Sequence, residues 1–362
     1  MEELLLRTGF EIELLAPAGA DRQTLADELA ARCAGRVRRS FHVDSEPSAV
    51  PGVGVFRHLS PAFDVVDERG GPVARLVDDI TIQRDLVPTP GHPGAPGRRD
   101  WYRILCDEGR LLRLIERHTD PYAPLATVLE PLAELFGARV DGLPGAARVN
   151  DSAGATVAVA MTLPPGRERP CEIVTPPLES HHALSLERLL GPARELGFTV
   201  PREAAVHLHV DGAPFRRPES FANVVRLFGH WREELWTALG ANPDCRRVAP
   251  LTQELVDLVE LPWQEAGDRS AWALMRDAAQ GAGVTKFADV NLKQLLTDRP
   301  VRDTLEVRIL PGDLDGHSIV RRAALVEALL TRCLDPRPIP RPDRSAARDP
   351  QGALDDLLGV RR

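Results

Sequence analysis

Three short segments each place two ionisable residues two positions apart, with one apolar residue between them. They are Glu11-Ile12-Glu13, His207-Leu208-His209 and Glu306-Val307-Arg308. Successive side chains of a β-strand point to opposite faces of the sheet, so each ionisable pair projects on one side and its apolar neighbour on the other. The spacing therefore predicts three strands of a sheet with one charged face and one buried face.

A fourth predicted strand, residues 171–175, puts Glu172 and Ile173 on opposite faces. If the four strands share a sheet, one face gathers several carboxylates, two imidazoles and one guanidinium. Carboxylates this close repel each other and must take up protons or bind cations. Oxygen-rich clusters that include an imidazole suit Mg²⁺ or Mn²⁺, which can bind nucleotide phosphates beside a stabilising arginine.

The residues alone leave a simpler interpretation open. An alternating charged strand is most often the solvated face of a half-covered sheet, and surface or core histidines are common. The same spacing occurs three times, each time next to a turn signal, which favours a site. At this level the sequence indicates metal-dependent phosphate chemistry without naming a reaction.

The wider pattern predicts an α+β fold with a mainly antiparallel sheet, because strands occur early and late with helices between them. Strands are predicted at residues 4–15, 73–83, 155–163, 171–175, 203–210 and 303–310. Helices are predicted at residues 20–34, 110–118, 124–137, 181–197, 217–240, 251–260, 268–280 and 317–333. Residues 155–175 read as a two-strand hairpin, and residues 88–98 as a loop rich in Gly and Pro.

Charge and composition limit the possible partners. A net charge of -8 argues against nucleic acid, and 43% hydrophobic with 27% charged residues is typical of a soluble globular protein. Five scattered cysteines without a CxxC pair indicate free thiols. The acidic N-terminus and the lack of an apolar run of about 18 residues predict a cytoplasmic protein that binds no membrane. Residues 336–362 form a Pro/Arg-rich tail that we expect to be loosely held.

Four segments, in chain order, carry a resemblance to a known family. They are TGFEIEL at 8–14, CEIVTPPL at 171–178, VHLHVDG at 206–212 and TLEVRIL at 304–310. This ordered set resembles the amidoligase family, a branch of the glutamine synthetase and glutamate–cysteine ligase superfamily. The resemblance indicates a single catalytic domain over residues 1–335, with residues 36–150 as a variable elaboration within it.

The resemblance implies a glutamine-synthetase-like catalytic fold, in which a curved, mainly antiparallel sheet has helices packed on its outer face. Its inner face would bind ATP and Mg²⁺ or Mn²⁺. A carboxylate of a small molecule or peptide would take the γ-phosphate, and an amine or ammonia would then displace phosphate to form an amide. No P-loop motif GxxxxGK[ST] is present, so an unrelated P-loop enzyme is disfavoured.

The same resemblance implies residue roles, carried over by position. The metal ligands would be five residues: Glu11, Glu13, Glu172, His207 and Glu306. The nucleotide and its phosphates would be bound by four residues: His209, Lys286, Asn291 and Arg308. Arg308 and Glu306 would be catalytic, with Arg308 at the transferring phosphoryl group. Asp78 and Asp79 stand where relatives carry an Asp-Gly-Ser turn, and we expect them to be solvated aspartates at a strand edge.

Two other classes of function remain as alternatives. A metal-dependent amide hydrolase can also carry a His-x-His strand, but there histidines dominate the later ligands, whereas only His230 and His317 follow here. A non-catalytic interaction protein could keep the fold, although the retained carboxylates and Arg308 speak against it. The ligase prediction also allows a partner glutaminase as an ammonia source, and an oligomer.

Overall fold

The computed structural model describes residues 3–46, 56–86, 101–106, 108–343 and 346–360. The loop predicted at 88–98 lies outside these residues. The chain divides into two compact units. Unit 1 comprises Met1–Ile12, Thr175–Gly191 and Arg202–Arg362, and unit 2 comprises Glu13–Val174 and Pro192–Pro201. The predicted catalytic domain over residues 1–335 stays a prediction.

The described strands, numbered in chain order, are β1 Thr8–Leu15, β2 Arg36–Glu46, β3 Phe56–Val66, β4 Pro72–Val77, β5 Tyr102–Cys106, β6 Val140–Leu143, β7 Ala146–Asn150, β8 Thr156–Thr162, β9 Pro170–Val174, β10 Ala205–Asp211, β11 Val290–Asn291 and β12 Thr304–Pro311. The described helices are α1 Arg22–Arg32, α2 Gly109–His118, α3 Glu130–Leu135, α4 His182–Glu195, α5 Pro218–His230, α6 Arg232–Leu239, α7 Gln253–Leu258, α8 Ala271–Gly281, α9 Lys293–Leu296, α10 Gly316–Leu334 and α11 Pro350–Leu358.

Unit 1 contains an antiparallel sheet in the order β11-β12-β10-β1. The apolar residues of the three triplets, Ile12, Leu208 and Val307, are buried at 0%, 2% and 0% exposure. This confirms the predicted apolar face. The ionisable face is not a solvated surface, because His207 and Glu306 are also buried.

The long helix predicted at 217–240 is two helices in unit 1, α5 and α6, which meet at Trp231. The backbone of Trp231 leaves helical geometry at φ -101° and ψ 18°. Its indole N–H donates to the Pro340 carbonyl at 2.7 Å, so the side chain is held by the C-terminal segment. The helical spacing was correct on both sides of this break.

Unit 2 contains an open antiparallel sheet in the order β9-β4-β3-β5-β8-β7-β6, with β2 paired to β3. The hairpin predicted for residues 155–175 is wrong, since β8 pairs with β5 and β7 while β9 pairs with β4. The reason lies in the connecting segment. Buried Arg167 donates to the Asp78 carboxylate and to the Ile82 carbonyl at 2.7 Å, which holds the connection against the end of β4.

The expectation of a loosely held tail is also wrong. Buried Asn223 of α5 donates to the carbonyls of Asp335 and Arg337 at 2.8 and 3.1 Å, and it accepts from Ile339 N at 2.9 Å. Ile339 and Leu354 are buried, so apolar side chains as well as hydrogen bonds fix the segment. The proline and arginine content of this segment suggested a loose tail, so nothing in the sequence indicated these contacts.

At the level of fold class, the chain is a mixed α and β protein with large antiparallel sheets, as the α+β prediction requires. Two of the helices illustrate how the local sequence provides N-terminal caps. Asp21 begins α1 with a capping box to Thr24, and Asp315 begins α10 by accepting from Ser318 N. Among the residues that the structure describes, no helix combines the length and the apolar character that crossing a membrane requires.

Candidate functional site

The strands β1, β10, β11 and β12 bring the predicted ionisable residues of unit 1 together. In the sheet register, Glu11 lies opposite His207, and His209 lies opposite Glu306. Asn291 of β11 lies opposite Glu306 on the other side of β12. Because directly opposed side chains in an antiparallel pair approach closely, the register alone builds a cluster. We call it the first cluster: Glu11, His207, His209, Asn291, Glu306 and Arg308.

The two histidines of the first cluster contact its carboxylates differently. His207 Nδ1 lies 3.2 Å from Glu11 Oε2 and 3.6 Å from Glu306 Oε1. His209 Nε2 lies 3.3 Å from Glu11 Oε1. Ligand atoms of Glu11, His209 and Glu306 lie within 4.8 Å of one another, a separation that fits coordination of one ion. The ligand role of each histidine stays a prediction.

Further contacts hold these groups in place. Asn291 Nδ2 donates to Glu306 Oε2 at 2.7 Å, and Arg308 Nη1 donates to Glu306 Oε1. His209 Nδ1 lies 3.1 Å from Thr304 Oγ1, which fixes the ring so that Nε2 faces Glu11. Partners of this kind orient metal ligands in known metal sites. Thr304 belongs to the TLEVRIL segment, but its contact with His209 was not predicted.

Burial and neighbouring charges set the protonation of the first cluster. Burial raises the pKa of Glu11, but the charge of His209 and hydrogen bonds from both histidines outweigh it and hold that pKa well below its usual range. Burial also raises the pKa of Glu306, but the charges of Arg308 and the two histidines together outweigh it, so that this pKa is lowered. The cluster thus presents two ionised carboxylates.

The two imidazoles respond in opposite directions. Burial and the charge of Arg308 lower the pKa of His207. Burial lowers the pKa of His209 too, but the Glu11 carboxylate outweighs burial and raises the pKa of that imidazole. Two carboxylates and two imidazoles in a buried position form a donor set that a hard divalent cation can use.

A second cluster lies in unit 2 and consists of Glu13, Asp79 and Glu172. Their carboxylate oxygens lie within 4.8 Å of one another. Glu172 in β9 is paired in register with Val77 of β4, and Asp79 follows two residues after β4 ends. Three carboxylates at this separation repel one another, which a cation would relieve.

The expectation that Asp78 and Asp79 are solvated is wrong, because their exposures are 2% and 5%. Asp78 forms an ion pair with Arg167 at 2.7 Å, and Asp79 accepts from Thr81 N at 2.8 Å. The Asp-x-Thr spacing at 79–81 is typical of such a turn and was the available signal. Asp79 is therefore a member of a carboxylate cluster that sequence reasoning missed.

Lys286 completes the predicted set, and Arg302 is an additional residue that contacts the first cluster. The Lys286 ammonium lies over the Phe287 ring, 5.2 Å from its centroid, while Asn291 of the same segment contacts Glu306. Arg302, which the sequence did not single out, donates from Nη1 to Glu11 Oε1 at 2.8 Å. Arg302 lies in a turn region without a strand or helix pattern, so no local signal marked it.

The comparison with protein families bears on this geometry. A family model described as "Putative amidoligase enzyme" matches residues 5–330, a range that contains both clusters. The chain belongs to this amidoligase family. Comparisons with curated proteins and with solved structures gave no match. Membership of the amidoligases indicates a ligase-type function, since an amidoligase is an enzyme that forms amide bonds.

Proposed function

We propose that this amidoligase joins a carboxylate to an amine at the expense of ATP, through an acyl-phosphate intermediate. The observation that supports this most is the burial of ionised carboxylates beside Arg308 in the first cluster. Such a grouping is costly unless cations and anionic ligands use it. Phosphoryl transfer needs this arrangement, because positive charge must offset the repulsion between the oxygens of the phosphate and those of the attacking carboxylate.

The donor sets of the two clusters fit Mg²⁺ or Mn²⁺. The first cluster offers carboxylate oxygens and imidazole, and the second cluster offers carboxylate oxygens from Glu13, Asp79 and Glu172. Neither contains a thiolate, which a structural zinc site would favour. A bound divalent cation supplies Lewis acidity and neutralises negative charge at the phosphates.

Within the first cluster, the geometry favours distinct roles. Glu11, His209 and Glu306 form the group whose ligand atoms fit one ion, so we propose them as its ligands. His207 faces both carboxylates through Nδ1 and would hold them in position, with direct coordination as the alternative. Arg308 is proposed to contact the transferring phosphoryl group.

The chemistry then follows from the charges. An oxygen of the substrate carboxylate attacks the γ-phosphorus of ATP, and the bond to ADP breaks. The amine nitrogen then attacks the acyl carbon, and phosphate leaves together with the oxygen that came from the substrate carboxylate. The amine nitrogen loses a proton to solvent, which completes the amide. Arg308 stabilises the negative charge that moves onto the phosphoryl oxygens, while Asn291 keeps Glu306 oriented. Asn291 and Lys286 are also proposed to contact phosphate or substrate.

The decisive test is release of ADP and phosphate by the purified protein with Mg²⁺-ATP, screened against pools of amino acids, acidic peptides and amines. The proposal requires release that depends on both a carboxylate and an amine, and an amide product by mass spectrometry. Arg308→Ala should remove this turnover, whereas Arg32→Ala, at an exposed ion pair with Glu28, should keep it. Amide hydrolysis without nucleotide would instead support the metal-dependent hydrolase.

A further inference from the structure

The Arg302 side chain reaches into the first cluster from a surface turn. Its Nη1 donates to Glu11 Oε1 at 2.8 Å, although the side chain is 53% exposed. The neighbouring backbone is anchored on both sides. Val301 N donates to Gln294 Oε1 at 3.0 Å, and the Asp303 carbonyl accepts from Gly212 N at 3.0 Å. The turn therefore presents Arg302 to Glu11 from a fixed position.

Glu11 is thereby shared between a guanidinium and the proposed cation site. A divalent cation bound by the Glu11 carboxylate places two positive charges close to the Arg302 guanidinium. Like charges a few ångströms apart repel strongly where water is partly excluded. Both partners also need lone pairs of the same carboxylate, so binding of one weakens binding of the other.

The two arginines of this site differ in how easily they can leave. The Arg308 side chain is 12% exposed, and its backbone N donates to the Asp289 carbonyl at 2.9 Å within the sheet. The Arg302 side chain is about half exposed and can turn into solvent, where water replaces its hydrogen bond to Glu11. An ion pair whose arginine is half exposed contributes little, because water competes for the guanidinium, so a cation can displace Arg302.

We infer that Arg302 competes with the divalent cation for Glu11 and so sets the cation affinity of the first cluster. The inference rests on the proposed function only in that the first cluster binds a cation. Arg302 acts on cation binding and does not contact the reacting atoms. By competing for Glu11, Arg302 raises the cation concentration that is needed to occupy the site.

The test is calorimetric titration of the full chain with Mn²⁺ alone, without nucleotide, comparing wild type with Arg302→Met. The dissociation constant of the site should fall by about 1.5- to fivefold in the variant, the range that corresponds to one partly exposed ion pair. Arg299→Met is the matched control, because Arg299 is an exposed arginine of the same turn region. At high salt, which screens exposed charges, the effect of Arg302→Met should shrink less than any effect of Arg299→Met, because Arg302 contacts Glu11 directly.

A second measurement follows the guanidinium itself. Phenylglyoxal labelling of Arg302 in the wild-type protein, quantified by peptide mass spectrometry, should increase when Mn²⁺ is added. The inference is overturned if Arg302→Met binds Mn²⁺ no more tightly than wild type, or if Mn²⁺ leaves the labelling unchanged. In either case, Mn²⁺ binding by the wild-type protein would leave the proposed function standing. If neither protein binds Mn²⁺, both the inference and the proposed cation site fail.

Discussion

Glu306 lies between two donors, with Asn291 on one carboxylate oxygen and Arg308 on the other. Glu306→Gln keeps the shape but removes the negative charge that a cation needs. We expect Mn²⁺ affinity of the first cluster to fall by at least about tenfold and ligase turnover to be lost. Calorimetry and product formation measure the two effects. Glu260→Gln, at a partly exposed ion pair with Arg226, should change neither, and wild-type turnover in Glu306→Gln would contradict the role of Glu306.

Asp44 of β2 is a buried carboxylate in unit 2 that the sequence analysis did not select. His42 and His58 lie 3.2 and 3.4 Å from its oxygens, and Ser60 donates to it at 2.9 Å. Burial raises the pKa of Asp44, but the charges of and hydrogen bonds from the two histidines outweigh it and lower that pKa. The ionised carboxylate is therefore favoured in the folded protein.

Because the folded-state pKa of Asp44 is lowered, its contribution to stability is present above its ordinary pKa of about 3.9 and declines as the pH falls below that value. Asp44→Asn should lower the free energy of unfolding at neutral pH by about 1–3 kcal/mol. The difference from wild type should shrink in acid. Urea unfolding at several pH values measures this. Asp141→Asn, half exposed at an ion pair with Arg148, should show little change at any pH.

At the scale of the element, alternation along β1 places the ionisable residues Glu11 and Glu13 on one face and the apolar Ile12 on the other. Ile12 is fully buried, so Ile12→Asp places a charge in the core without a partner. We expect the free energy of unfolding to fall by more than about 3 kcal/mol, measured by urea or thermal unfolding. Leu5→Asp is the control, since Leu5 is 91% exposed and should tolerate the charge. Equal stability of the two variants would reverse the assignment of the buried face.

The C-terminal segment tests a different contact. Asn223→Ala removes the donor for the Asp335 and Arg337 carbonyls and the acceptor for Ile339 N. Since these backbone groups lose their partners, stability should fall by about 2–3 kcal/mol. Trypsin should also cleave after Arg332 or Arg348 sooner than in wild type, whereas the prolines that follow Arg337 and Arg341 block cleavage there. Gln351→Ala, which removes one exposed contact with Asp355, should leave both measurements unchanged.

The elements that the sequence predicted correctly are those with a local signal. Alternation around Ile12, Leu208 and Val307 identified three strands and their buried faces, because side-chain direction in a strand depends only on neighbouring residues. The false hairpin of residues 155–175 failed for the opposite reason. Which strand lies beside β8 or β9 depends on a distant contact, the pairing of Arg167 with Asp78, and no local pattern encodes it.

The candidate site shows the same limit. Glu11, His209 and Glu306 were selected by spacing, and the sheet register brought them together. Asp79 and Arg302 were not, because their side chains enter the clusters from turns. A turn residue is positioned by the anchors on either side of it, such as Thr81 for Asp79, rather than by a repeating pattern.

At the scale of the whole molecule, each compact unit carries one group of cation ligands among the residues that the structure describes. We therefore predict that the wild-type chain binds two Mn²⁺ ions. Glu306→Gln should remove the site in unit 1, and Asp79→Asn the site in unit 2, so each variant should bind one ion by calorimetry. Asp79→Asn keeps the oxygen that accepts from Thr81 N, which preserves the turn. A wild-type stoichiometry of one would contradict the assignment of two separate sites.

The alternation in β1 also restricts how the length of this strand can change during evolution. Glu11 and Glu13 flank buried Ile12, so an insertion or deletion of one residue exchanges the two sides for every position that follows it within the strand. A change of two residues preserves both sides. Descendants of this chain that keep both carboxylates should therefore insert only even numbers of residues between Glu11 and Glu13, and the buried position between them should stay apolar.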